Sequence, residues 1–193
     1  VGTEIALLAD VLESGHLAAN GKFTERSHNF LEQNLGYRKA LLTTSCTSAL
    51  ELSAILMDIG PGDEVIIPSY AFVTTANAFA SRGAHVVFAD SQKDHPNLDE
   101  ATIEPLITPK TKAIVALHYG GVACNMDEIM AIARTKAIKV LEDNAQGIGS
   151  KYKGTPLGGI GHFGALSFHE TKNVHCGEGG ALLVNTEQAA DRA

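Results

Sequence analysis

Five short apolar runs, spaced by segments of helical period, constrain this chain more than any other feature. Leu41-Leu42, Val65-Ile66-Ile67, Val86-Val87-Phe88, Ala113 to Leu117 and Val140-Leu141 are rich in β-branched residues and apolar throughout. A strand with one wet face alternates polar and apolar residues. An unbroken apolar run instead suits a strand covered on both faces, as in a parallel sheet. Between the runs, Ala49, Leu52, Leu56 and Ile59 keep a 3-4-3 spacing, and Gly60-Pro61-Gly62 stops that helix. Ala71 to Arg82, ended by Gly83, and the set Met126, Ile129, Met130 and Ala133 mark two more helices. This βαβ alternation predicts an α/β fold with a mostly parallel sheet flanked by helices.

Around this centre lie simpler elements. Two helices, roughly Glu4 to Glu13 and Thr24 to Leu35, precede the first strand. Lys151-Tyr152-Lys153-Gly154 reads as a hairpin turn, and Phe163 to Phe168 and Ala181 to Val184 read as two further strands separated by a polar loop. There is no internal repeat, low-complexity tract or linker, so residues 1–193 read as one domain. The chain begins at Val1 and stops at Asp191-Arg192-Ala193 inside a starting helix, so both ends are expected to be cut.

Composition removes several classes. Apolar residues make up 45% and charged residues 19%, which is globular and not disordered. A net charge of −7 argues against general nucleic-acid or anionic-membrane binding, both of which need a basic surface, but leaves room for one local anion pocket. No apolar run approaches the roughly 20 residues of a membrane span, and no signal peptide is evident. Cys46, Cys124 and Cys176 are odd in number and far apart, which favours the reducing cytoplasm over a disulfide framework.

Three segments carry candidate chemistry. The first, Thr43-Thr44-Ser45-Cys46-Thr47-Ser48-Ala49-Leu50, sits where a strand should turn into a helix, with Ser48 and Glu51 at capping-box spacing. Such a start would leave the N–H groups of Thr47, Ser48 and Ala49 free beside hydroxyls, a phosphate cradle that needs no lysine. A plain helix cap is the simpler reading of this segment alone. In the second, Asp143 follows the apolar strand Val140-Leu141 at the end where open α/β sheets place ligands. It could hold a cationic ring nitrogen or merely cap the next helix. In the third, Ser167-Phe168-His169-Glu170-Thr171-Lys172-Asn173, Lys172 lies in a polar loop crowded by glycines and hydroxyls. A lysine held in a site can lose its proton and attack a carbonyl, whereas an ordinary lysine is simply solvated.

Other features are decoys. Gly159-Ile160-Gly161-His162-Phe163-Gly164 matches a G-x-G-x-x-G pattern, but it precedes a strand and no helix follows, so a nicotinamide-dinucleotide site fails its context test. The eight histidines show no metal-binding spacing. His118, closing a strand, and His169 could face a site or serve the structure. Cys124 and Cys176 read as inert, and Cys46 matters in the cradle for its backbone.

Together the segments Ser-x-Thr-Ser-Ala-Leu, Pro-Ser-Tyr-Ala-Phe-Val, Glu-Asp-Asn-Ala-Gln-Gly and Ser-Phe-His-Glu-Thr-Lys-Asn, in that order, are far more specific than any one. The chain resembles, over essentially its whole length, the DegT–StrS family of sugar aminotransferases, which use pyridoxal phosphate on the large domain of the fold-type I scaffold. Pro68-Ser69-Tyr70 with Phe72-Val73, His118 to Cys124 and Phe168 to Asn173 resemble most the members acting on TDP-4-oxo-6-deoxyglucose. The resemblance implies that Lys172 forms the Schiff base with the cofactor aldehyde, Asp143 pairs with the pyridine nitrogen and Phe72 stacks on the ring. It puts Gln146 near the ring hydroxyl and the phosphate on Thr47, Ser48 and Ser167. It implies a nucleotide-sugar substrate, an amino-acid donor (glutamate) and a homodimer with the site at the subunit interface. By the same resemblance, family members are about twice as long, and the remainder is expected to hold a C-terminal small domain that residues 1–193 do not include. The alternatives are transamination of another keto sugar or a cyclitol, a dehydratase of the same family (in which a histidine replaces the lysine), and an inactive fragment.

Overall fold

The computed structural model describes residues 2–193. Seven strands form one sheet in the order β1-β9-β8-β5-β4-β2-β3. They are β1 (Ala40–Thr43), β2 (Glu64–Pro68), β3 (His85–Ala89), β4 (Thr111–Leu117), β5 (Lys139–Asp143), β8 (Phe163–Ser167) and β9 (Gly180–Val184). The pairs β3–β2, β2–β4, β4–β5 and β5–β8 are parallel. Only β9 runs against its neighbours, β8 and β1. Each expected strand is present, and the mostly parallel sheet follows from them.

Helices cover both faces. The odd-numbered residues of β5 and β4 (Leu141, Ala113 and Val115) share a core with α3 (Cys46–Leu56) and α4 (Val73–Ala80), filled by Leu50 and Phe79. The even-numbered ones (Val140, Ile114 and Ala116) pack on α5 (Met126–Lys136) through Met126, Ile129 and Ala133. Two-faced burial is the physical reason these strands read as unbroken apolar runs. The β-hairpin β6–β7 (Lys151–Tyr152 and Thr155–Pro156) turns through Lys153 and Gly154, both at positive φ, as a tight hairpin turn requires.

The N-terminal region departs from expectation in one detail. Helix α1 (Glu4–Ser14) is as read, but the second helix divides into α2 (Lys22–Asn29) and a wider π turn over Phe30–Asn34. The wide turn closes through Leu35 N–H donating to the Phe30 carbonyl, and it buries Leu31, 4% exposed, against the Tyr37 core. The last helix, α6, spans Glu187–Ala190. Among the described residues no helix is long and apolar enough to cross a membrane.

Candidate functional site

The carboxyl ends of β4, β5 and β8 and the segment after β2 converge on the start of α3, where open parallel sheets place ligands. A cleft of about 720 Å³ opens there. Thr47, Phe72, Asp143, Gln146, Ser167 and Lys172 all line it, so six of the seven residues singled out from sequence share one cavity.

The seventh, Ser48, stands outside the cleft wall. Helix α3 begins earlier than the capping-box spacing predicts: its N-cap is Ser45, whose Oγ accepts the Ser48 N–H at 3.1 Å. The Ser48 hydroxyl lies 3.1 Å from both Thr44 Oγ1 and Ser45 Oγ, and the Ala49 N–H donates to the Ser45 carbonyl. The first-turn amides without an intrahelical acceptor are therefore those of Cys46 and Thr47, and the anion-ready end of the helix dipole shifts upstream. Gly180 permits this approach. It pairs with Ser167 on one side and Thr43 on the other, and a Cβ there would stand 2.4 Å from the Ser45 carbonyl carbon and 2.5 Å from the Cys46 nitrogen.

Asp143 ends β5 and is 3% exposed. Thr75 Oγ1–H donates to its Oδ2 at 2.7 Å and the Ala145 N–H to its Oδ1 at 3.3 Å. Burial holds this carboxyl above its ordinary range, and the two hydrogen bonds, followed by smaller charge effects of His118 and Lys172, draw it part of the way back. Thr75, fully buried in α4, is the partner that sequence reasoning missed. Its signal was a β-branched hydroxyl residue inside a short helix, a place where such residues gain little from the helix itself.

Lys172 lies in the loop between β8 and β9. That loop is closed by Phe168 N–H to the Gly179 carbonyl and Glu170 N–H to the Gly177 carbonyl, each 2.8 Å, while the Lys172 N–H donates to the His169 carbonyl at 2.9 Å. His169 Nδ1 accepts the Thr171 N–H at 3.1 Å, so this histidine shapes the turn that carries the lysine. Cys46 lines the same cleft. Burial and then Asp143 push its thiol well above the ordinary value, and Lys172 opposes them, so all three groups act on one another across the cleft.

Gln146 Oε1 accepts the Gly120 N–H at 2.6 Å, which leaves its amide nitrogen for a ligand. Phe72, 72% exposed, caps α4 at the cleft mouth, and Tyr70 and Tyr119 stand beside it with ring centroids 5.2 Å apart. The glycine-rich decoy finds its real use away from the cleft. The N–H groups of Gly158, Ile160 and Gly161 close on the buried Glu142 carboxylate. His118 joins the same carboxylate and does not line the cleft.

The chain is 41% identical over 189 residues to the spore coat polysaccharide biosynthesis protein SpsC of Bacillus subtilis, covering 98% of this chain and 48% of that protein. It is 35% identical to the GDP-perosamine synthase of Caulobacter vibrioides, covering 98% and 51% respectively. It therefore spans about half the length of the curated relatives it matches. The structure of NtdA from Bacillus subtilis with bound cofactor PMP superposes with a TM-score of 0.89 at 33% identity, covering 96% of this chain and 42% of that one. The model of the DegT/DnrJ/EryC1/StrS aminotransferase family matches residues 2–193, and the chain belongs to that family.

Proposed function

We propose that the protein of which this chain is the large, cofactor-binding domain is a pyridoxal-phosphate-dependent aminotransferase. It converts a nucleotide-linked 4-oxo-6-deoxy sugar to the 4-amino sugar, with glutamate as donor. The observation that carries this reading is the single cleft in which Lys172 and the buried Asp143 face the first turn of α3.

The residues fit the cofactor. Asp143, a carboxylate whose charge burial penalises, would hold a protonated ring nitrogen. The Cys46 and Thr47 amides, with the hydroxyls of Thr47 and Ser167, suit a phosphate, and they do so by fixed dipoles within an acidic protein. Ser48 serves this group indirectly by locking the cap. Phe72 offers a ring face at the mouth, and the free amide of Gln146 suits the ring hydroxyl. When bound, the cofactor supplies an electron sink for a carbanion formed next to nitrogen. Lys172, which lines the cleft, would supply the amine that holds the cofactor's aldehyde and, as a free amine, would serve as the general base that moves a proton.

The 4-oxo sugar is supported by the close resemblance of the Pro68–Val73, His118–Cys124 and Phe168–Asn173 segments to enzymes acting on TDP-4-oxo-6-deoxyglucose, and by the 35% identity to a perosamine synthase. The active assembly is a homodimer, in keeping with the exposed Tyr70, Phe72 and Val73 at the cleft rim. The enzyme is cytoplasmic, in keeping with three unpaired cysteines. A panel of nucleotide-linked 3-oxo and 4-oxo sugars and a keto-cyclitol, each with glutamate and the full-length protein, tests the substrate. Fastest amination is expected on the 4-oxo-6-deoxy sugar; a preference for any other member overturns that assignment.

A further inference from the structure

One buried network goes unused by the chemistry above. Glu142 is fully buried, and strand alternation turns it to the face opposite Asp143. Its Oε1 accepts the N–H groups of Ile160 at 2.7 Å and Gly161 at 2.6 Å. Its Oε2 accepts the Gly158 N–H at 2.8 Å and bonds His118 Nε2 at 2.9 Å. His118, also fully buried, accepts the Cys124 N–H at Nδ1, so the ring proton sits on Nε2 and is donated to Glu142. The His118 backbone N–H donates to the Asp143 carbonyl at 3.1 Å.

These bonds join three pieces of chain: the end of β4, the end of β5 and the glycine loop before β8. A buried carboxylate is costly unless every lone pair is used, and here four donors converge on it. An apolar residue would fill the same space without that demand, so the arrangement spends polar groups on fixing a position. What it fixes is the last turn of β5, where the next side chain is Asp143. The network continues to the Tyr119–Gly121 turn, whose Gly120 N–H orients Gln146.

We propose that Glu142 and His118 are positioning residues for Asp143, holding the carboxyl end of β5 so that the Asp143 carboxylate is presented to the cofactor ring. This rests on the proposed role of Asp143. It separates the network from a general structural brace, because a positioning role must act through Asp143 and vanish without it.

The test is a double-mutant cycle read by equilibrium titration of the apo full-length protein with pyridoxal phosphate. His118→Asn keeps an acceptor for the Cys124 N–H and breaks the bond to Glu142. His118→Gln places its amide nitrogen where Nε2 was and keeps that bond. Asn is expected to weaken cofactor binding about tenfold and Gln less than about twofold; with Asp143→Asn already present, His118→Asn should cost less than about twofold more. Equal losses with and without Asp143, or equal losses for Asn and Gln, overturn the positioning role while leaving Asp143 in its own. If Asp143→Asn alone leaves cofactor affinity unchanged, the reading of Asp143 falls first and the inference with it.

Discussion

Asp143 stands in a place where its charge is unwelcome until a cation arrives. Its folded-state value lies above the ordinary carboxylate range because it is buried. Below that ordinary range both folded and unfolded chains hold the proton, and the group's contribution to stability is fully present. As pH rises through the folded-state value the proton must leave a buried site, and the contribution is lost. The apo protein should therefore lose melting temperature on going from mildly acid to neutral pH, and Asp143→Asn should flatten that decline. An unchanged pH profile in the variant would contradict this account. The three cysteines give a second residue-scale prediction. Cys124 is buried and its thiol is pushed up to about 12, chiefly by burial, and burial likewise drives Cys46 upward. Cys176 is exposed. Because the thiolate is the reactive form, a limiting alkylating reagent near neutral pH should modify Cys176 first. Peptide mass spectrometry checks the order, and a first adduct on Cys46 or Cys124 would count against the burial described.

At the scale of elements, the joint between α3 and β9 shapes the wall of the cleft where we propose the cofactor phosphate sits. Gly180→Ala places a methyl 2.4 Å from the Ser45 carbonyl carbon, and backbone cannot yield as a flexible side chain can. A loss of about 3 kcal/mol in unfolding free energy is expected, together with weaker cofactor binding. Ser45→Ala removes only the cap and should cost about 1 kcal/mol. Denaturant unfolding ranks the two, and a Gly180→Ala protein as stable as the parent contradicts the close approach. The same joint shows where sequence reasoning reached its range. A helix start after β1 was legible because a hydroxyl-rich segment between an apolar run and a helical period is a local signal. The cap residue was misplaced because Ser45 and Ser48 both suit a helix start, and the turn packs against Gly180, more than a hundred residues away, which a local pattern does not show. The use of the Gly159–Gly164 loop was not legible either. Its amides serve Glu142, and only the parallel pairing of β5 with β8 brings the two together.

For the molecule as a whole, the strands were legible one by one while their order was not, since a run such as Val65-Ile66-Ile67 says that it is buried without naming its neighbours. The order β1-β9-β8-β5-β4-β2-β3 is what brings Lys172, from the loop between β8 and β9, over the end of β5. The chain spans about half the length of the curated relatives it matches. The cleft that holds Lys172 and Asp143, in contrast, lies within these residues. The decisive measurement is reduction of the cofactor-loaded protein with borohydride followed by peptide mapping. A pyridoxyl-phosphate adduct on Lys172, absent in Lys172→Ala, is the predicted result. A cofactor-loaded protein that yields no adduct, or carries it on another lysine, would contradict the assignment of Lys172 and Asp143 to one ring.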